Sequence, residues 1–157
     1  MASDYIMEMR KLIGHTPLLT VGCGVLVENE DGALLLQKRT DDNTWGTPGG
    51  GMNLGETFME TAVREVSEET GLHVSGLSLY GIYSGQHCII EYPNNDICFG
   101  AIIIFHTKIY SGETMIDNKE SLDLRFFSRE NLPENINQVS SKWIEHWRKN
   151  IVPIIVD

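Results

Sequence analysis

The segment that most constrains the fold is residues 50–72, where a glycine-rich loop runs directly into a short predicted helix. Thr57 is a good N-cap, and Glu60, three residues later, completes a capping box that satisfies two backbone donors. Gly71 stands where a left-handed residue commonly closes a helix, because glycine has no Cβ. These signals together predict a helix of about 13 residues, close to the usual length.

The two faces of this predicted helix carry different side chains. One face carries an apolar stripe at helical spacing, which would dock on a core: Met59, Ala62, Val63, Val66 and Thr70. Roughly opposite, Glu65, Glu68 and Glu69 are spaced so that their carboxylates converge on one patch. Because these acids repel one another, a hard divalent cation such as Mg²⁺ or Mn²⁺ would stabilise the patch. The alternative is a solvated acidic face.

The spacing of this segment resembles the signature of the Nudix hydrolases at every defined position. Gly50, then Glu56 after five intervening residues, then residues 64–72 after seven more carry the match over 23 residues. The resemblance extends upstream to Arg39 and residues 45–50, and downstream to residues 120–127 and 132–133. It therefore covers most of the chain between residues 21 and 133.

The resemblance implies an α/β fold, the Nudix-type α/β/α sandwich with a mixed, strongly curved sheet. We expect one domain over residues 1–157, with a helical extension at about residues 3–13. Alternating and apolar runs predict strands at residues 21–27, 33–39, 97–109 and 122–127, the second pairing back on the first. A second helix at residues 140–150 would place Trp143, Ile144 and Trp147 on one side.

The resemblance also implies a metal site. Its predicted ligands are the carboxylates of Glu65, Glu68 and Glu69, together with the carbonyl of Gly50. Glu56 resembles the supporting acid of the family, either a ligand itself or a partner of the ligands. Arg64 would orient the carboxylates through charge-assisted hydrogen bonds. Mg²⁺, with Mn²⁺ as a possible substitute, would neutralise the diphosphate and lower the pKa of a bound water.

The base that deprotonates the attacking water varies within this family. It is a helix glutamate in some members, for which Glu69 or Glu68 is the candidate here. In others it is a glutamate on a distant loop, where Glu120 is the first candidate and Glu113 the second. The residues alone leave this choice open.

Four residues close to the signature are predicted to contact the substrate. Arg39 ends a predicted strand beside the glycine loop, where it could reach a phosphate. Gly49 and Gly51 let the backbone approach an anion near the helix N-terminus. Trp45 is either a core anchor or a wall of the substrate pocket, and we favour packing.

The implied reaction is hydrolysis of the diphosphate bond in a nucleoside diphosphate linked to another moiety. Nucleotide sugars, ADP-ribose, nucleoside triphosphates and CDP-alcohols all remain candidate substrates. A non-catalytic nucleotide-binding module is the main alternative, although such domains usually lose the signature acids, which are intact here. An isomerase on the same fold would need a positioned cysteine and metal-binding histidines that the sequence does not place.

Composition restricts the partners. A net charge of −10 argues against a general nucleic-acid or anionic-membrane surface, but not against a phosphorylated substrate held through a cation. No apolar run approaches the ~20 residues that span a bilayer, and no secretory signal is visible. Cys23, Cys88 and Cys98 lack metal-type spacing and are interpreted as core residues of a cytoplasmic protein.

The predicted N-terminal helix needs a partner surface. Its apolar side carries Tyr5, Ile6, Met9 and Leu12, and an isolated helix this short is only marginally stable in water. That side must be buried either on its own domain or on a second copy of the chain. We therefore expect a two-fold homodimer, with folding back on the same domain as the alternative.

Overall fold

The computed structural model describes residues 5–116 and 119–157. The helices of this part of the chain are α1 (Tyr5–Ile13), α2 (Phe58–Thr70) and α3 (Gln138–Arg148). Its strands are β1 (Leu18–Val27), β2 (Leu34–Arg39), β3 (Trp45–Gly46), β4 (Gly49–Gly51), β5 (His73–Ser75), β6 (Ser78–Tyr83), β7 (Ile89–Glu91), β8 (Ile97–Thr107), β9 (Ile109–Ser111), β10 (Ser121–Phe127) and β11 (Ile155–Val156). No described helix has the length and apolarity needed to cross a membrane.

The central sheet is mixed, as predicted. Its strand order is β11-β6-β8-β1-β4, and β7 also pairs with β8. β1 and β8 run parallel over their whole length, whereas β4, β6 and β7 join as antiparallel strands. A second sheet has the order β10-β2-β3, and β5 pairs with β9 in a third.

The predicted pairing of residues 33–39 with the first strand is wrong. β2 pairs with β3 and β10, and a single bridge between Glu28 and Leu34 joins it to β1 in the described residues. The physical reason is that both edges of β1 are already taken, by β8 on one side and β4 on the other. The first four residues of β2 are all buried, so the strand lies between two packed layers.

Helices cover both faces of the central sheet, which confirms the sandwich. α3 packs Trp143, Ile144 and Trp147 into one core cluster, against residues of β1, β2 and β8. α2 packs Ala62 and Val66 into the other cluster, on the opposite face of β1 and β8. The predicted limits of α2 are also confirmed, with both hydrogen bonds of the capping box formed and a left-handed residue at its C-terminal end.

Two details of the prediction differ from the structure: the burial of Met59 and the end of the long strand. Met59 is about half exposed, because the first turn of α2 lies beyond the part of the sheet that the helix covers. The long strand ends at Thr107 instead of continuing to residue 109. The Thr107 hydroxyl donates to the Ser75 carbonyl and accepts from the Ile109 amide, so the chain turns there and β9 pairs with β5.

α1 packs on its own domain, and its most buried residue is an arginine. The predicted helix began at residue 3, but residues 3 and 4 lie outside the described part of the chain. Leu12 was assigned to the buried side and is 80% exposed, so that assignment is wrong. The buried Arg10 donates to the carbonyls of Thr16 (2.7 Å) and Ile97 (2.8 Å), which attaches the helix to the start of β8.

Candidate active site

The glycine loop lies against α2 so closely that side chains are excluded from it. β4 pairs with β1 so that Gly50 lies opposite Cys23. A Cβ on Gly50 would lie 2.6 Å from the carboxylate of Glu65, and one on Gly49 would lie 2.4 Å from the Cys23 carbonyl oxygen. The Gly50 carbonyl oxygen faces Gly22 on β1 at this pairing, so its predicted role as a metal ligand stays a prediction.

Arg64 donates hydrogen bonds to three carboxylates of the signature. Its Nε and Nη2 donate to the two oxygens of Glu56, at 2.6 and 3.0 Å. Nη1 donates to Glu65 at 2.7 Å and to Glu68 at 3.2 Å, while Nη2 also reaches the Gly51 carbonyl at 2.9 Å. Five bonds from one guanidinium fix the glutamates relative to the loop.

Glu56 is held on all sides as a supporting acid. Besides Arg64, it accepts hydrogen bonds from the Asn53 amide and the Thr61 hydroxyl. The hydrogen bonds from Arg64 are the main cause that lowers the pKa of Glu56 to about 2. Since its oxygens are occupied in this way, Glu56 is better suited to orienting Arg64 than to binding a metal ion.

Two of the three predicted acids are buried beside the loop. The Glu69 carboxylate accepts from the Gly49 amide at 2.8 Å, and burial raises its pKa to about 8. Burial also raises the pKa of Glu65, against the opposing effect of Arg64, and the charges of Glu68 and Glu120 raise it further. Only Glu68 lies on an exposed face. The prediction that all three lie opposite the apolar stripe is therefore wrong, because Glu65 and Glu69 turn toward β4.

Gln37 and Ser121 form a buried polar pair that contacts Glu69. The Ser121 hydroxyl donates to the Gln37 side chain at 2.7 Å and to the Glu69 backbone carbonyl at 3.0 Å. Gln37 is itself buried and hydrogen-bonds the Glu69 carboxylate. Sequence reasoning missed both residues. A glutamine inside an otherwise apolar strand was the available signal, because buried polar groups need partners.

A groove of about 1490 Å³ runs from these acids across the central sheet. Its floor includes Gly22, Gly24 and Gly100, whose missing side chains leave β1 and β8 open. Its walls come from α1, the β7–β8 hairpin, the loop after β2 and the start of α3. The structure brings these predicted site residues to the groove: Arg39, Gly49, Gly50, Gly51, Arg64, Glu65, Glu68, Glu69 and Glu120.

Three predicted site residues do not line the groove, namely Glu56, which holds Arg64, and the candidates Trp45 and Glu113. Trp45 is buried and packs edge-on against Phe127, with ring centroids 4.9 Å apart, which favours the packing role over the pocket wall. Glu113 lies near Gly71, at the C-terminal end of α2. Glu120 lies in the groove lining, so the geometry favours it over Glu113 as the loop base.

Arg39 lies in the groove but is already paired. Its Nε and Nη2 donate to the two carboxylate oxygens of Asp41, at 3.0 and 2.7 Å. A phosphate would have to compete with this bidentate pair. The arginine is therefore placed as predicted, but its contact with a substrate stays a prediction.

The groove wall formed by α1 was not expected from the sequence. Ile6, Met7 and Arg10 line the groove, and Ile6 lies 2.8 Å from where a Cβ on Gly51 would stand. Arg10 follows Ile6 by four residues, so both lie on one side of the helix. A single arginine on an otherwise apolar side was the signal that could have predicted its burial.

The donor set fits a hard divalent cation. The carboxylates of Glu65, Glu68 and Glu69 are the oxygen donors at this end of the groove, and the charges of Glu68 and Glu120 act on Glu65. In the described residues no three acidic, histidine or cysteine side chains already form a metal cage. Arg64 explains this, since it holds the carboxylates of Glu56, Glu65 and Glu68 in its own hydrogen bonds.

Comparison with known proteins agrees with this site. The family model of the NUDIX domain matches residues 18–147. A "Putative 8-oxo-dGTP diphosphatase" of Bacillus subtilis is 34% identical over 116 residues, 74% of this chain and 71% of that protein. An "ADP-ribose pyrophosphatase" of Methanocaldococcus jannaschii is 31% identical over 112 residues, 69% of this chain and 62% of that protein.

Solved structures show the same fold. A MutT NUDIX hydrolase from Burkholderia pseudomallei aligns with a TM-score of 0.69 at 24% identity, over 81% of this chain and 96% of that one. The NUDIX domain match covers every strand of the central sheet except β11, and all of the glycine loop and α2. The signature acids, their arginine and the loop they flank are thus found on the expected fold, and the chain belongs to the Nudix hydrolase family.

Proposed function

We propose that this Nudix hydrolase cleaves, with a divalent metal ion, the diphosphate bond of a nucleoside diphosphate linked to another moiety. Diphosphate hydrolysis is the activity that the named relatives share. The observation that carries the proposal is the hydrogen-bonded set of Arg64, Glu56, Glu65 and Glu68 at one end of a long groove. A merely solvated acidic helix would not need two buried glutamates beside a loop without side chains.

Each residue of the set has a proposed role. Glu65, Glu68 and Glu69 would hold Mg²⁺ or Mn²⁺, which when bound neutralises phosphate charge and lowers the pKa of a water ligand. Arg64 orients Glu65 and Glu68, and Glu56 holds Arg64 in place. The backbone of the glycine loop lies where it can approach the phosphates without side-chain interference.

Glu120 is our proposed base. It lines the groove, and its charge acts on Glu65, so it lies near the reacting end of the groove. Glu69 is the competing candidate. It is buried, and its carboxylate accepts a hydrogen bond from the Gly49 amide, which holds it against the glycine loop.

The groove supports a two-part substrate. Its volume of about 1490 Å³ exceeds the ~300–1,000 Å³ of ordinary small-molecule pockets. Such a groove has room for a nucleoside on one side of the diphosphate and a second group on the other. Two relatives are named for 8-oxo-dGTP and ADP-ribose, so both belong in a first substrate screen.

The screen would test the proposal directly. Nucleotide sugars, ADP-ribose, nucleoside triphosphates including the oxidised ones, and CDP-alcohols are each incubated with the protein and Mg²⁺. Phosphate is read after addition of a phosphatase. We expect turnover of at least one compound, loss of turnover in excess EDTA, and recovery when Mg²⁺ is restored. Full turnover in EDTA would refute metal dependence. Binding without turnover of any compound would favour the non-catalytic alternative.

A further inference from the structure

One face of the central sheet is apolar and partly exposed. α2 covers this face over the C-terminal halves of β1 and β8 and leaves their N-terminal halves open. We call the exposed part the open face. Its residues are between 38% and 78% exposed: Leu19, Val21, Phe58, Met59, Ile82, Phe99 and Val156.

Strand register places these residues on one side of the sheet. Leu19 lies opposite Phe99, and Val21 lies opposite Ala101 two residues further along. Ile82 lies opposite Ile103 in the next strand, and Val156 lies opposite Ile82 at the sheet edge. On β8 the groove is lined only by the alternate residues 98, 100, 102 and 104, which point to the other side of the sheet. On β1, Val21 borders the groove as well as the open face. The open face therefore lies on the opposite side of β8 and meets the groove at Val21.

The open face carries no charge where β1 and β8 contribute to it. Every second residue from 19 to 27, and from 97 to 107, is apolar or a threonine. This is notable in a chain with 34 charged residues and a net charge of −10. Two copies of so acidic a protein repel each other at most surfaces, and this surface lets them approach without placing acids against each other.

The open face contains both a ridge and a small apolar cleft, which is distinct from the groove of the candidate active site. Leu19 and Phe99 form the ridge. The cleft has a volume of about 430 Å³ and lies between the first turn of α2 and strands β6 and β8. Ile103 at the bottom of the cleft is four residues from Phe99, roughly 13 Å along the strand. The ridge and the cleft are thus displaced along one strand of the same face.

We propose that the open face is the interface of a two-fold symmetric dimer with a second copy of this chain. A two-fold axis between the ridge and the cleft, near Ala101, inserts each ridge into the cleft of the other copy. Such a contact is isologous, and every ridge and cleft is used in one closed pair. The arrangement needs no partner other than the chain itself.

The area of the open face fits this occupant. Its seven exposed side chains amount to roughly 600–700 Å² of apolar surface, at about 150–250 Å² for a fully exposed large side chain. The largest apolar patch on a typical monomer measures about 300–600 Å², and a standard interface buries about 800 Å² per partner. The polar rim around the face would supply the remainder.

Two apolar helix faces are already used within the domain. Trp143, Ile144 and Trp147 lie in the core of their own domain. α1 is attached to β8 through Arg10, and its Ile6 covers the glycine loop. Neither helix face is therefore left for a large contact between two copies, whereas the open face combines area with self-complementary shape.

The mass of the protein in solution tests the proposal independently of any activity. Light scattering at micromolar concentration is expected to give twice the mass of the chain. Leu19→Glu places a charge on the ridge and should reduce the mass to that of a monomer, with an unchanged circular dichroism spectrum. Leu12→Glu is the matched control, because this leucine is similarly exposed on α1, and it should remain a dimer. A monomeric wild type, or dissociation by Leu12→Glu alone, would overturn the proposal.

A cross-link tests the position of the axis even if Leu19→Glu fails to fold. Ala101→Cys places a thiol near the axis, and mild oxidation should join two chains through it. Ile109→Cys is the control, since Ile109 is exposed away from the open face. The three native cysteines are buried and should not interfere. Cross-linking of the control with none at Ala101→Cys would refute the interface.

Discussion

Replacing Glu28 by glutamine is expected to destabilise the protein by about 2–3 kcal/mol at neutral pH. Glu28 is buried at the end of β1 and accepts hydrogen bonds from Trp147 and Lys108, both at 2.7 Å. Arg129 also contacts it, and the same guanidinium lies over the Trp147 ring. The carboxylate thus attaches α3 to the central sheet across 119 residues of sequence.

The size of the effect follows from burial. Glutamine keeps one acceptor oxygen but turns a donor toward cationic neighbours, so the charge-assisted bonds weaken. Lys108 is mostly exposed and can turn to water, which keeps the cost below that of an uncompensated buried charge. With a urea dependence of about 1–3 kcal/mol per M, the unfolding midpoint should fall by about 1 M.

The stabilisation that Glu28 provides depends on pH, and the direction of that dependence follows from its pKa. Burial alone would raise the pKa of Glu28, but hydrogen bonds from Lys108 and Trp147 lower it below the usual value of 4.5. A carboxyl whose pKa is lower in the folded state stabilises the protein fully above its unfolded pKa and loses that contribution as pH falls. The difference between wild type and Glu28→Gln should therefore be largest near pH 7 and disappear in acid.

Glu145→Gln is the control that separates burial from pKa. Hydrogen bonds from Arg148 and Lys149 lower the pKa of Glu145 to about 2, yet its side chain is 40% exposed on α3. Exposed ion pairs contribute only ~0.2–1 kcal/mol, so this variant should lose less than about 1 kcal/mol. Urea unfolding of both variants from pH 7 to pH 3 decides the matter. Equal losses, or a Glu28→Gln loss that persists in acid, would refute the reasoning.

Three kinetic predictions follow from the groove. Glu68→Gln should keep the fold but lower kcat at least about 100-fold through loss of charge stabilisation; wild-type turnover at millimolar Mg²⁺ would contradict its role. Glu120→Gln should lower kcat strongly with little change in KM; a small effect beside a large one for Glu69→Gln would move the base onto α2. Arg10→Lys cannot span the carbonyls of Thr16 and Ile97, so KM should rise about tenfold with kcat nearly constant; an unchanged KM would show that α1 does not contact the substrate.

Local signals predicted the limits of α2 and the contacts of Arg64 with the neighbouring glutamates. The cap at Thr57, the terminator Gly71 and the spacing of the glutamates all lie within a few residues of what they determine. The bonds from Arg64 to Glu65 and Glu68 lie within one turn of helix, so their closeness is inherent in the sequence spacing. This is why the sequence could predict the signature residues before any fold was known.

Features that depend on distant parts of the chain were not predictable in the same way. β2 was paired with the wrong strand because the choice between β1 and β10 depends on which edges are already filled. The burial of Arg10 depends on a carbonyl 87 residues away, and that of Glu28 on an indole 119 residues away. A propensity or a helical period carries no information about such partners.

The parallel pairing of β1 with β8 has a consequence for how the protein is made. Leu18 pairs with Cys98 and Val27 with Thr107, so every pair joins residues 80 positions apart. Closing a flexible loop of that length costs about 4 kcal/mol before the sheet contributes anything, and such non-local pairing slows folding. At about 5–20 residues per second, a ribosome needs roughly 4–16 s to supply β8 after β1 has emerged. For that interval β1 can join the glycine strand β4 but not its long partner, and the floor of the groove is finished only when the second half of the chain arrives.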